Sequence, residues 1–107
     1  MFGFLKNILD LSGPTLAPED LTKGTIIDVR TSAEFQGGHV PGSINIPLQS
    51  LEQNLNKFRK LNAPLILCCA SGNRSGMAQR QLESIGIPSI NGGGWRHVNQ
   101  QVEALSV

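Results

Sequence analysis

The sequence predicts an α/β fold: a mostly parallel sheet covered by helices on both faces. Three observations carry this. Strand-like and helix-like stretches alternate along the chain, which joins parallel strands through crossovers. The run Leu65-Ile-Leu-Cys-Cys69 is apolar at every position, as a strand buried on both sides requires. Helix-capping patterns recur between the strands. With 107 residues, 39% hydrophobic and 16% charged, the chain has room for one compact domain. Aromatics are 5% and Tyr is absent, so the core rests on Leu, Ile and Val.

Residues 1–14 read as an N-terminal extension or short helix, and residues 15–107 as the domain. In the extension, Phe4, Ile8 and Leu11 are spaced for an amphipathic turn, and Asp10 breaks any leader-like apolar run. Thr25-Ile-Ile-Asp-Val29 is β-branched and apolar, a buried strand. Thr31-Ser-Ala-Glu34 then forms a capping box that opens a short helix, which Gly37 and Gly38 stop. A second strand covers Ser43–Ile46 and closes at Pro47. Leu48, Leu51, Leu55 and Phe58 share one face of an amphipathic helix, with Ser50 and Gln53 as its capping box and Asn62-Ala63-Pro64 as its end. Leu65–Cys69 is the central strand. The next helix runs from Ser75 to Ile85, with Ala78, Leu82 and Ile85 inward and Gly86 as a left-handed stop. Pro88–Ile90 is a short strand, 91–94 a turn, and Trp95–Leu105 the last helix.

Nine Lys/Arg against eight Asp/Glu give a net charge of +1, too little field to gather nucleic acid or an anionic membrane. The longest apolar runs are far short of a membrane span. The default compartment is the cytoplasm. Only two cysteines are present, Cys68 and Cys69, adjacent and poorly placed for an ordinary disulfide. His39 and His97 stand apart without ligand spacing, so no metal site is expected. The cysteines are then buried thiols, reactive thiols, or one of each.

The loop Cys69-Ala70-Ser71-Gly72-Asn73-Arg74-Ser75 joins the central strand to a helix, at the sheet end where parallel folds bind ligands. A thiol becomes a nucleophile when its anion is stabilised. A loop that curls over the sulfur and enters a helix aims backbone N–H groups and the positive helix end at one point. Gly72 and Asn73 tolerate the left-handed backbone such a nest needs, Arg74 adds a fixed charge or a brace, and Ser75 caps the helix. Alone, a Cys before a Gly-containing turn would read as a half-buried strand end. Here Cys, Gly, Arg and the capping Ser coincide, which favours a reactive Cys69.

From about Thr15 to its end, the chain resembles a single-domain rhodanese-homology protein. Three segments carry the resemblance: Asp28-Val29-Arg30 with Glu34-Phe35; Gly38-His39-Val40-Pro41-Gly42-Ser43-Ile44-Asn45-Ile46-Pro47; and the Cys69–Ser75 loop. The resemblance implies a three-layer fold with a five-stranded, mostly parallel sheet. It also implies sulfur transfer from a donor such as thiosulfate to a thiol, a protein or cyanide through a persulfide on Cys69, without metal or organic cofactor. Residues 70–75 would cradle the anion, and Asp28, Arg30 and Glu34 would support them. Asp28 ends a buried strand and needs a cation, Arg30 or Arg74. Glu34 serves as cap and brace, and His39 belongs to a structural turn. Cys68 points to the opposite side of the strand from Cys69 and packs as a small hydrophobe. Two departures stand out. Ala70 occupies a position where many active relatives carry a bulky or basic side chain, which weakens the expected grip on thiosulfate. Gly92-Gly93-Gly94 runs directly into Trp95, and Val98 takes the place of a later Trp. The rival readings are a cysteine phosphatase or arsenate reductase on the same fold, and a non-catalytic binding module. Four residues separate Cys69 from Arg74, one fewer than in phosphatases of related fold.

Overall fold

A computed structural model describes residues 10–105, so the expected turn at Phe4 and Ile8 lies outside the described residues. Helix α1 (Pro18–Lys23) leads into β1 (Thr25–Asp28) and α2 (Ser32–Gln36). Strand β2 (Ile44–Asn45) is followed by two 3₁₀ turns (Leu48–Ser50 and Glu52–Asn54) and α3 (Leu55–Lys60). Then come β3 (Leu65–Cys69), α4 (Asn73–Ser84), β4 (Ile90–Gly94) and α5 (Trp95–Ala104). The strands pair in the order β2-β1-β3-β4, all parallel.

The sheet therefore has four strands among the described residues, where the family resemblance implied five. Beside β4 lies the segment around Ser12, which accepts one backbone hydrogen bond from Gly94 N–H at 2.6 Å. It stops there as a strap, because Pro14 has no N–H to extend a ladder. The strap is tied down further along α5. Asp10 N–H donates to Gln100 Oε1, Leu16 N–H donates to Gln101 Oε1, and the His97 ring nitrogens meet the carbonyls of Asp10 and Pro14.

Two apolar layers enclose the sheet, and the alternation along β3 divides them. Leu65, Leu67 and Cys69 join Ile27, Val29, Leu51, Phe58, Ala78 and Leu82 under α3 and α4. Ile66 and Cys68 join Leu16, Val40 and Val98 under α5. Cys68 and Cys69 thus face opposite sides, as strand geometry predicts.

Several expected elements differ. The amphipathic helix from Leu48 is broken into 3₁₀ turns, which bring Leu48 and Leu51 onto the core at three-residue spacing. No Ser50–Gln53 capping box forms; the Ser50 carbonyl accepts from Asn54 Nδ2 instead, at 2.7 Å. Ile85 caps the end of α4 and is 43% exposed, while Ile87 takes the core position. The segment read as a turn, 91–94, is strand: Asn91 opposes Leu67, Gly93 opposes Cys68 and Gly94 opposes Cys69, across a bulge between Leu67 and Cys68. Glycine is a poor strand former, but here close packing demands it. A Cβ on Gly92 would fall 2.9 Å from Ile66 Cγ2, and one on Gly93 would overlap the Ser12 carbonyl.

Candidate active site

Strand β3 delivers Cys69, 1% exposed, to the carboxyl edge of the sheet. Ala70 and Ser71 are exposed there, and Gly72 reverses the chain with φ +103° before α4 begins at Asn73. That backbone angle suits glycine, since a Cβ would clash with the following carbonyl. Gly72, and not Ser75, is thus the N-cap of α4, and Asn73 is helical, not left-handed. Ser75 sits three residues into the helix, fully buried.

This curl wraps the sulfur in donors. Gly72 N–H points at Cys69 Sγ at 3.1 Å, and Ser75 N–H at 3.4 Å. The Ser75 hydroxyl lies 3.3 Å away. Burial alone would push the Cys69 thiol up. The Ser75 hydroxyl and the N–H groups of Ser75, Ser71 and Gly72 outweigh it and hold the thiol below its ordinary value. The N-terminal end of the twelve-residue α4 lies on the same sulfur, with its dipole favouring an anion. For Cys68 the balance reverses. Burial pushes its thiol up, the Asp28 carboxylate adds to this, and no hydrogen bond to its sulfur offsets it.

The supporting residues sort into two ion pairs. Arg30 Nε and Nη2 donate to both oxygens of the fully buried Asp28, with the closer contact at 2.8 Å. Arg30 is therefore the partner that Asp28 requires. It also donates to the Gly38 carbonyl at 2.6 Å and lies over the Trp95 ring. Arg74 instead meets Glu34 in a bidentate pair, Nη1 to Oε1 at 2.7 Å and Nη2 to Oε2 at 3.1 Å. Glu34 also completes the capping box with Thr31. The Arg74 guanidinium, together with the Thr31 N–H, holds the Glu34 carboxyl at about 2. Arg74 is thus a brace between α4 and α2. His39 is exposed, stacks on Phe35 and bonds the Phe35 carbonyl through Nδ1 at 2.7 Å; it makes no hydrogen bond to Cys69.

One further residue belongs to this site, from the segment that the sequence predicts as a turn. Asn91 accepts from the Ser75 hydroxyl at 2.7 Å and from Gly93 N–H at 3.0 Å, and donates to the Gly72 carbonyl at 3.1 Å. A signal for it existed in a polar amide set between an apolar strand and a glycine tract, but its meaning depended on β4 lying beside β3.

Among the described residues no cluster of His, Cys, Asp and Glu could hold a metal, and no helix is long and apolar enough to cross a membrane.

Comparison with known proteins gives a consistent result. The family model for the rhodanese-like domain matches residues 14–100. Thiosulfate sulfurtransferase PspE of Escherichia coli is 32% identical over 98 residues, covering 90% of this chain and 89% of that protein. YqhL of Bacillus subtilis is 43% identical over 68 residues, and this chain spans only 53% of its length. A crystal structure of a rhodanese-like domain protein from Staphylococcus aureus superimposes with a TM-score of 0.64 at 36% identity, covering 89% of this chain and 83% of that one.

Proposed function

This chain belongs to the rhodanese-like domain family, and on that premise we propose that it is a sulfurtransferase whose sulfur-carrying residue is Cys69. One observation carries the reading: backbone N–H groups, a hydroxyl and a helix N-terminus all converge on the Cys69 sulfur. Such a ring stabilises a sulfur anion without a metal or organic cofactor.

In this reading the Cys69 thiolate attacks the outer sulfur of a donor such as thiosulfate, entering from the exposed Ala70–Ser71 rim. A new S–S bond forms, the donor's S–S bond breaks, and sulfite leaves with the electron pair. The charge then rests on the terminal sulfur of a Cys69 persulfide, held by the 70–75 loop. A thiolate of a small molecule or protein, or cyanide, attacks that sulfur and takes it away, and the Cys69 thiolate returns. Glu34 braces the loop through Arg74, and Asp28–Arg30 ties the end of β1 to the Gly38 carbonyl. Both thiols are free, as a reactive Cys69 requires, and the compartment we propose is the cytoplasm.

Incubation with thiosulfate followed by intact mass measurement tests the proposal. The expected result is a single added sulfur on the wild type and none on Cys69→Ser. A folded wild type that acquires no sulfur from thiosulfate or from a small persulfide donor would overturn it and leave a binding module.

A further inference from the structure

Asn91 stands on β4, one strand away from β3, and touches the site loop at two points. Its orientation is fixed by two backbone groups. The Gly93 N–H can only donate, so it takes Oδ1, and the Gly72 carbonyl can only accept, so it takes Nδ2. The Ser75 hydroxyl lies 2.7 Å from that same Oδ1, which cannot donate, so the hydroxyl proton goes to Asn91. Ser75 has one such proton, and Cys69 Sγ lies 3.3 Å from its oxygen.

The two states of the sulfur make opposite demands on this proton. With a thiol, every group is satisfied: S–H donates to Ser75 Oγ, and Oγ–H donates to Asn91. With an anion, the sulfur has nothing to donate, and the Ser75 oxygen would face it with lone pairs. The hydroxyl then turns its proton to the sulfur, breaking no O–H bond, while the thiol's own proton has gone to solvent. Asn91 Oδ1 keeps the Gly93 N–H, so nothing is left unpaired.

We propose that Asn91 is a positioning residue for the Cys69 nucleophile: it competes with the sulfur for the Ser75 hydroxyl proton while its other end clamps the Gly72 carbonyl. The inference rests on reading Cys69 as the nucleophile, but its test needs no sulfur transfer. The charged or titratable groups around the sulfur are Arg74 on α4 with Glu34 on α2, Asp28 on β1 with its partner Arg30, and Cys68 on β3. All remain in place in the variants compared.

The experiment is the rate of Cys69 alkylation by iodoacetamide against pH in the wild type, Asn91→Ala, Ser75→Ala and the double variant. Peptide mass locates the label. Removing the competing acceptor frees the hydroxyl for the sulfur, so Asn91→Ala lowers the midpoint and raises the rate below it about three- to tenfold. On the Ser75→Ala background the same substitution does not lower the midpoint. An equal shift in both backgrounds, no shift in either, or a coupling of opposite sign overturns the proposal. Asn91→Leu, which keeps the branched outline of Asn without its polar ends, gives the same comparison if the alanine variant does not fold. A role in stability alone would not make the midpoint depend on Ser75. Failure of the wild type to take up sulfur would remove the proposed function and leave this result standing.

Discussion

At Cys69 burial and hydrogen bonding act on one sulfur in opposite directions, and the loop decides the balance. One residue earlier burial prevails: no hydrogen bond reaches the Cys68 sulfur, and the Asp28 carboxylate adds to burial against a smaller opposing effect of Arg30. Alkylation of the wild type should therefore fall on Cys69 alone, with a midpoint below the ordinary thiol value of about 8.5. A midpoint at or above that value would mean that burial wins. Cys69→Ser should abolish sulfur transfer while Cys68→Ala, which removes only a small core side chain, retains it; equal losses in two folded variants would contradict the assignment. Ala70 sets a second expectation. Both arginines near the loop are engaged by carboxylates, and the rim residue Ala70 is uncharged. Ala70→Arg should raise kcat/KM for thiosulfate, a dianion, by improving its binding. A lower value would show that access, not charge, limits the donor.

The element that sets the chemistry is the turn from β3 into α4. It is one residue shorter than the phosphate cradles of related fold, and its arginine is held sideways by Glu34. A persulfide adds one sulfur about 2 Å from the first, which suits a tight ring of donors. A phosphoryl group must fit several oxygens into that ring without a free guanidinium. Parallel assays on one preparation should give sulfur transfer and negligible hydrolysis of aryl phosphates; Cys69-dependent phosphatase turnover without persulfide would reverse the reading. The parts of this element legible in the sequence were local ones. Thr31 and Glu34 are three residues apart, so their capping box could be read directly, as could the alternation that separates Cys68 from Cys69. The sequence offers two arginines as partner of Asp28, and only the fold selects Arg30. Ser75 looked like a cap because its type suits one, yet Gly72 turned the chain first. The strand expected at Pro88–Ile90 begins only at Ile90, and its course on to Gly94 is hidden in the sequence because three glycines carry no strand propensity. What selects it is tertiary: Ile66, Val98 and Ser12 leave no space for a Cβ. Asn91 could not be seen as part of the site until that strand was in register.

Across the whole molecule, the strap from Asp10 to Leu16 lies on the open edge of β4 and joins it to α5. Edge strands otherwise offer unpaired backbone to other chains, so the strap limits that exposure. Gly93 is the tightest point, with φ +90° and the Ser12 backbone against it. Gly93→Ala should destabilise by about 1–3 kcal/mol, seen as a lower urea midpoint at unchanged slope. Gly86→Ala, with φ +83° and open space around it, should fall at the lower end, about 1 kcal/mol. Equal losses at the two positions would show that the strap does not press on β4. The sheet has one more effect, through the two sulfurs it holds apart. If peroxide oxidises the Cys69 thiolate to a sulfenic acid, releasing hydroxide, the usual rescue is attack by a neighbouring thiol. Cys68, the other cysteine of the chain, lies across the sheet with its sulfur in a separate apolar layer. Cys68 cannot resolve it, so rescue through a disulfide needs a thiol on another molecule. Without one, continued peroxide exposure carries Cys69 on to the sulfinic acid, and the loss is permanent.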